Sequence, residues 1–405
     1  MRARTSPRLG ADFGKLWTAA AVSNVGDGVT MVAGPLLVAS LTRDPALIAG
    51  AAFVQSLPWL LFSLVSGVWV DRVDRQRLIV SVNVVRGTAL GGLCLAVAAG
   101  TATIPLIYVV FFLLGLCETV ADTASVARLP AIVPPERLGA ANARLMATFT
   151  IGNQFVAKPL GAWLFAVAAA LPSGVDALTF VVAAVLVAAM RPAPKEPVRP
   201  RGDLRADIAE GVRGLWSHRL LRALALSMGV GNVAFCGAFA AFILYTRERL
   251  GLTDVGYGFL LTTFAVGGVL GTAVTGRLQT WFGAGRLLRA GLVVEVLTHL
   301  TLAITRQPWV AAAILTVFGV HTMVWGVIVT TLRQRAVPDR LLGRVNGAYA
   351  LFDAGGASLG LLLGGVLAGA FGITTPFWLA GAAMTLVTVA AWRPLRDHGA
   401  AFSRR

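Results

Sequence analysis

Ionisable side chains interrupt several stretches of this sequence that are otherwise almost wholly apolar: Asp27, Arg86, Glu118, Asp122, Lys158, Glu295, His299 and His321. A carboxylate held away from bulk water can trade a proton with its surroundings, which makes Asp27 and Glu118 candidates for proton coupling or substrate contact. The competing reading is structural. Asp27 can cap or pair with another helix, and Glu118 can pair with Arg86 or Lys158. Those two bases are each expected to neutralise a carboxylate, with a substrate contact as the alternative. Glu295 and His299, four residues apart, share a helix face and could relay a proton or form a paired, solvated face. His321 stands among aromatic residues, either as a satisfied polar group or as a proton carrier.

The elements that must position these groups are long apolar runs. Of 405 residues, 57% are hydrophobic and only 13% charged, and the mean hydropathy is +0.76. Soluble domains carry about 25% charged residues. A membrane helix needs about 20 apolar residues, and by that measure there are twelve spans. They lie near 16–41, 47–70, 78–99, 104–126, 142–170, 173–190, 221–245, 256–280, 287–305, 308–331, 346–371 and 373–392. The runs are continuous rather than alternating, which excludes a transmembrane barrel. The expected fold is therefore all-α and integral to the membrane. No cleavable leader is evident, since the first run is long and contains Asp27.

The net charge of +16 would suit nucleic acid, but its distribution does not. All but six Lys and Arg fall in one alternating set of loops and at the termini. Arg43, Arg247, Arg249 and Arg306 fall in the other set, and Arg86 and Lys158 lie within spans. This is the positive-inside pattern. It predicts a multi-pass protein of the cell (inner) membrane with both termini cytoplasmic, its basic loops facing anionic lipid headgroups. Cys94, Cys117 and Cys236 lie in apolar runs without disulfide or metal spacing. No cofactor and no metal are expected.

On a helical projection, Ser23, Asn24, Asp27 and Thr30 share one arc of the first span, and Glu118 and Asp122 share one arc of the fourth. Asn232 and Cys236 lie together on the seventh, and Phe318, His321 and Trp325 on the tenth. The two halves also match. The segment Val133-Pro134-Pro135-Glu136-Arg137-Leu138-Gly139-Ala140-Ala141-Asn142 aligns without gaps on Val337-Pro338-Asp339-Arg340-Leu341-Leu342-Gly343-Arg344-Val345-Asn346. The same offset pairs Ser23 with Ser227, Gly67 with Gly271 and Pro172 with Pro376. Such a repeat predicts two six-helix bundles in parallel orientation: residues 1–190, a cytoplasmic linker 191–220, and residues 221–405. In the linker, Leu204, Ile208, Val212 and Leu215 form one stripe of a short amphipathic helix, expected to lie on the membrane surface.

Between the second and third spans stands G-V-W-V-D-R-V-D-R-Q-R, Gly67 to Arg77. Five charges in seven residues would each cost roughly 2.5–3.5 kcal/mol at mid-bilayer, so this is a short cytoplasmic turn. Gly67-x-x-x-Asp71-Arg72-x-x-Arg75 resembles the loop between helices 2 and 3 of the major facilitator superfamily, which usually has Gly where Asp74 stands. The D-R-x-D-R form resembles the drug:proton antiporter branch that includes enterobactin exporters and macrolide efflux pumps. Ser23-Asn24-x-Gly26-Asp27-Gly28, Glu118-Thr119-x-x-Asp122 and Ala127-Arg128-Leu129-Pro130 resemble the same branch. Lys158-Pro159-x-Gly161 departs from it, since relatives tend to have Gly-Pro-x-x-Gly there.

The resemblance implies twelve helices in two pseudo-symmetric bundles around a central cavity, with Asn24, Asp27, Glu118, Asn232, His321 and Trp325 facing it. It implies a cytoplasmic gate at Gly67, Asp71, Arg72 and Arg75. Asp122 and Asp353 are the expected carboxylate partners of those arginines; the plain alternative is a turn that only obeys the positive-inside rule. Asp71, at the end of its helix, can face the positive end of a neighbour, worth up to ~2 kcal/mol.

The expected function is secondary export of amphipathic small molecules, such as antibiotics, siderophores or other secondary metabolites, in exchange for protons. No Walker loop for ATP is present, and no set of residues suggests an enzyme. The alternatives are a lipid or lysophospholipid flippase or an importer on the same scaffold, and a non-transporting membrane sensor. Expected partners are a small-molecule substrate, protons and membrane lipids, with no nucleic acid and a monomeric chain.

Overall fold

The structure is a computed structural model that describes residues 10–70, 73–134, 137–191, 204–337 and 339–402. Among these residues there is no strand. The helices are α1 (Ala11–Leu41), α2 (Pro45–Val70), α3 (Arg75–Ala98), α4 (Ile104–Ile132), α5 (Leu138–Phe149), α6 (Ala157–Val167), α7 (Leu171–Ala188), α8 (Leu204–Ser217), α9 (Arg219–Phe239), the short α10 (Phe242–Leu244), α11 (Asp254–Phe282), α12 (Ala284–Ile304), α13 (Pro308–Ala336), α14 (Asp339–Phe371) and α15 (Thr375–Phe402).

Eleven of the described helices are long and apolar enough to cross a membrane. The twelfth expected span, the fifth in chain order, is built from α5 and α6 joined by a π-helical segment, Thr150–Val156. Pro159 follows at once, with no N–H to offer the carbonyl one turn back. The outward faces are what lipid requires. Leu95, Leu386 and Val389 are each 72% exposed, and Trp281 is 69% exposed. Such apolar surface is unstable in water and suits hydrocarbon.

The described chain forms two compact units. One holds Met1–Leu37 and Val54–Arg199; the other holds Val38–Phe53 and Pro200–Arg405. The segment Val38–Phe53 thus groups with the second unit, although its sequence precedes most of the first.

Capping explains where the helices begin. Asp74 accepts from the backbone N–H groups of Gln76 (2.9 Å) and Arg77 (3.0 Å), so it is the N-cap of α3. This gives a physical role to the residue that replaces the usual Gly of the charged turn. Thr253 caps α11 through the N–H of Gly256. Only Gly283 separates α11 from α12, at φ 75°, a left-handed turn that a side chain resists.

At one end of the first unit, Gln76 donates its amide to the carbonyls of Val187 (2.9 Å) and Met190 (2.8 Å) at the end of α7. Arg128, buried at 3% exposure, donates to Gln76 Oε1 (2.9 Å) and to the Arg191 carbonyl (3.0 Å). Burial pulls the Arg128 guanidinium down from its ordinary range. In the second unit, α8 docks on α14. Leu215 is fully buried, and Trp216 stacks on Phe352 with ring centres 5.6 Å apart. The apolar stripe of the linker is therefore met in part by protein, where the sequence suggested a membrane surface.

Arg249 performs a comparable task at the other end of the second unit. Its guanidinium donates to the carbonyls of Ala303 (2.8 Å), Ile304 (2.8 Å) and Thr305 (2.9 Å), the orphan acceptors at the end of α12. A cation at a helix C-terminus adds favourable charge–dipole energy. Arg249→Ala is expected to destabilise the protein by roughly 1–2 kcal/mol, read as a lower melting temperature in detergent. An unchanged melt would show that the three contacts contribute nothing.

Candidate functional site

The first unit gathers its buried charges around one guanidinium. Arg86, on α3 and 4% exposed, donates through Nη2 to Asp27 Oδ1 on α1. Its guanidinium carbon also lies 3.9 Å from the centre of the Phe180 ring on α7, a cation–π contact. Glu118 and Asp122 of α4 and Asp176 of α7 lie close enough to act electrostatically on this pair. One ion pair thus has three further carboxyl groups within electrostatic reach.

Asp176 is 1% exposed. It accepts from Thr30 Oγ1 through Oδ2 at 2.5 Å and from Thr179 Oγ1 through Oδ1 at 3.0 Å. This requires α1 and α7 to approach closely. Gly26 allows it, since a Cβ there would collide with Asp176 and Thr179. Sequence reasoning overlooked Asp176, although the signal that singled out Asp27, an acid inside an apolar span, was equally present.

Other predicted residues of this unit are placed as follows. The carbonyl of Asn24 accepts from Asn153 Nδ2 at 3.1 Å, which ties α1 to the π segment. Glu118 is half-buried and Asp122 exposed. Asp122 therefore stands in the electrostatic neighbourhood of Asp27 and Arg86. Gly67 is in the last turn of α2, and Arg75 opens α3. Asp71 and Arg72 lie outside the described residues. Lys158 is buried on α6 at 6% exposure. Whereas Arg86 meets an acid, Lys158 has no ion-pair or hydrogen-bond partner among the described residues. A small recess beside the charge cluster is lined by Thr30, Gly34, Phe111 and Ser173.

The second unit has two polar pairs in an aromatic setting. Asn232 of α9 donates to the Asp353 carbonyl at 2.9 Å and to its Oδ1. One residue expected in the cavity and one expected at the gate are therefore joined directly. His321 Nε2 of α13 stands 3.7 Å from Glu295 Oε2 of α12. His299 Nδ1 lies 2.8 Å from the Glu295 carbonyl. That contact makes Nδ1 the donor, and His299 Nε2 is buried without a partner. Gly231 of α9 and Gly291 of α12 leave room for this cluster, because a Cβ would press on Glu295 and on His321 respectively.

The helix spacing put Glu295 and His299 on one face; the third member, His321, came from another helix and was not assigned to them. Phe318 and Trp325 flank His321 at 5.7 and 5.8 Å between ring centres. Phe235 stacks on Phe264 and also contacts Phe318. Among the described residues no cluster could hold a metal ion. The chemistry available is therefore proton exchange at carboxyl and imidazole groups, ion pairing, and apolar contact with aromatic walls.

Comparison with known proteins agrees with this picture. Residues 4–400 match the family model described as transmembrane secretion effector, of the major facilitator superfamily. The chain is 26% identical over 360 residues to the enterobactin exporter EntS of Shigella boydii serotype 4 (strain Sb227), covering 87% of this chain and 85% of the relative. The same figures hold for EntS of Escherichia coli O1:K1 / APEC. Among solved structures, the fold resembles a bacterial homologue of the iron transporter ferroportin in an inward-facing state. The TM-score is 0.73 at 19% identity, covering 95% of this chain and 98% of that one. It also resembles a bacterial homologue of the lysosomal transporter Spinster, with a TM-score of 0.71 at 15% identity, covering 96% of this chain and 94% of that one. At those identities the likeness speaks for the fold alone. A family match that runs almost end to end, on a helical membrane fold with ionisable groups inside the spans, leaves one assignment: this chain belongs to the transmembrane secretion effector family of major facilitator transporters.

Proposed function

We propose that this protein is a secondary exporter of amphipathic small molecules, siderophores or related secondary metabolites among them, and that proton movement in the opposite direction drives it. The observation that carries the reading is the excess of acid over base in the neighbourhood of Arg86. Asp27 pairs with the guanidinium of Arg86, and Glu118, Asp122 and Asp176 lie within electrostatic reach of that pair, with Asp176 fully buried. In a low-dielectric place such an imbalance is met by protons or by a cation. The similarity to enterobactin exporters supplies the direction of transport and the kind of cargo.

Asp27 is the group on which protonation has the largest structural consequence. Adding a proton removes the charge that holds Arg86, and the freed guanidinium can turn to Glu118 or Asp176. A switch of partner at one arginine is the kind of two-state element that alternating access requires. Substrate would load from the cytoplasm, and protonation from the other side would release it. Gly67, Asp71, Arg72 and Arg75 serve as the cytoplasmic gate in this reading. Asn24, Asn232, His321 and Trp325 contact cargo. The chain acts as a monomer.

The test is uphill efflux from inverted vesicles with the proton gradient intact and then collapsed by an uncoupler. Transport is expected to fall to the passive rate when the gradient is lost, and uphill transport that persists would rule out proton coupling. Asp27→Asn is expected to retain downhill movement but lose accumulation. Full accumulation in that variant would remove Asp27 from the coupling role.

A further inference from the structure

Lys158 is the buried charge that the export cycle described above does not use. The row Ala157, Gly161 and Leu164 of α6 is occupied by α1. A Cβ on Gly161 would press on the backbone of Val29, and Ala157 meets Gly28. Lys158 starts a second row, with Ala162 and Phe165, turned about 100° around the helix. All three are buried. Within the first unit the described acids gather around Arg86, and no charge of a described residue acts on Lys158.

An ammonium left with 6% of its residue surface exposed and no described counter-ion is costly, and such groups in membrane proteins mark pathways or ligands. The backbone around it is also irregular. The π segment Thr150–Val156 ends two residues before it, and π segments concentrate at functional positions. Pro159 removes the N–H that the carbonyl of Phe155 would otherwise bond. A cation beside loosened backbone, with no acid supplied by the described residues, is a site that can take its anion from elsewhere.

We infer that Lys158 anchors the acidic group of the cargo, so that the transported molecules are organic acids carrying a carboxylate. The inference rests on the export reading, since it gives that cargo its charge. The protein would discriminate in favour of acids over neutral molecules of the same shape. Methionine at this position would keep the length of the stem and remove the selectivity, whereas arginine would keep it.

The experiment uses the purified full chain in detergent and two probes of matched shape, naphthoate and the neutral naphthamide, with binding read by calorimetry at neutral pH. The wild type is expected to bind the acid at least about tenfold more tightly than the amide. Lys158→Met is expected to reduce that preference below about twofold, and Lys158→Arg to keep most of it. A wild type with no preference overturns the inference, as does an undiminished preference in Lys158→Met. Lys158→Gln serves as the second neutral variant. If neither neutral variant folds, the ammonium is a structural requirement and the inference is again overturned. Transport is measured separately in proteoliposomes. Preference for the acid without movement of either probe would leave the anion site standing and remove the export reading.

Discussion

Arg86→Met is expected to destabilise the protein by about 3–5 kcal/mol, because it leaves half-buried Asp27 near three other acids with no cation. The arginine side chain is 5% exposed and the aspartate 20%, so water can do little to replace the lost partner. The loss of the contact with the Phe180 ring adds to the effect. Combining Arg86→Met with Asp27→Asn is expected to recover part of the stability, since position 27 then carries no unpaired charge while Asp176 still lacks the cation. The measurement is a set of thermal melts in one detergent, arranged as a double-mutant cycle. Additive effects of the two substitutions would show that the pair is a geometric coincidence and would weaken the partner-switching mechanism. Transport by the double variant is expected to be absent even where folding is restored, because both halves of the switch are gone.

A comparably large effect is expected at a residue with no side chain at all. Gly319 of α13 faces Gly267 of α11. A Cβ built on either would stand 3.0 Å from the other's Cα, and one on Gly319 would also press on the Gly268 nitrogen at 2.9 Å. These are backbone atoms of two long helices and cannot step aside. Small residues at such crossings let helices approach closely inside a membrane, where packing replaces the hydrophobic effect as the force between them. Gly319→Val is expected to cost about 3 kcal/mol, the upper end of the overpacking range, and to lower the yield of folded protein. Gly326, further along α13, has open space around it. Gly326→Ala is therefore the internal control and is expected to be neutral or slightly stabilising. Equal melting temperatures for the two variants would show that α11 and α13 can separate without loss.

Much of this protein was legible in its sequence because the membrane is a severe solvent. A long apolar run in hydrocarbon has few ways to satisfy its backbone other than to become a helix. The spans therefore follow from residues read in order. The charged turn after Gly67 and the pairing of equivalent segments across the halves were enough to indicate the family. What the order of residues could not give was the choice of partner. Periodicity placed Asp27 on a polar arc but could not select Arg86 over Lys158 as its cation. It put Glu295 and His299 on one face and left out His321, which comes from another helix.

These choices belong to the tertiary structure because they depend on rotation and depth. A helix turned by one residue, 100°, presents a different face to its neighbour. Within the fifth span the π segment makes such a shift just before Lys158, so a regular helical projection misplaces everything after it. Similarly, Gly26 and Gly161 read only as motif positions, and Gly319 as an ordinary member of an apolar run. Only the packed helices show that each fixes a contact a side chain would prevent. Composition and pattern determined that this chain is a bundle of membrane helices with costly charges inside. Packing alone decided which charges neutralise one another, and that Lys158 has no acid of its own among the described residues.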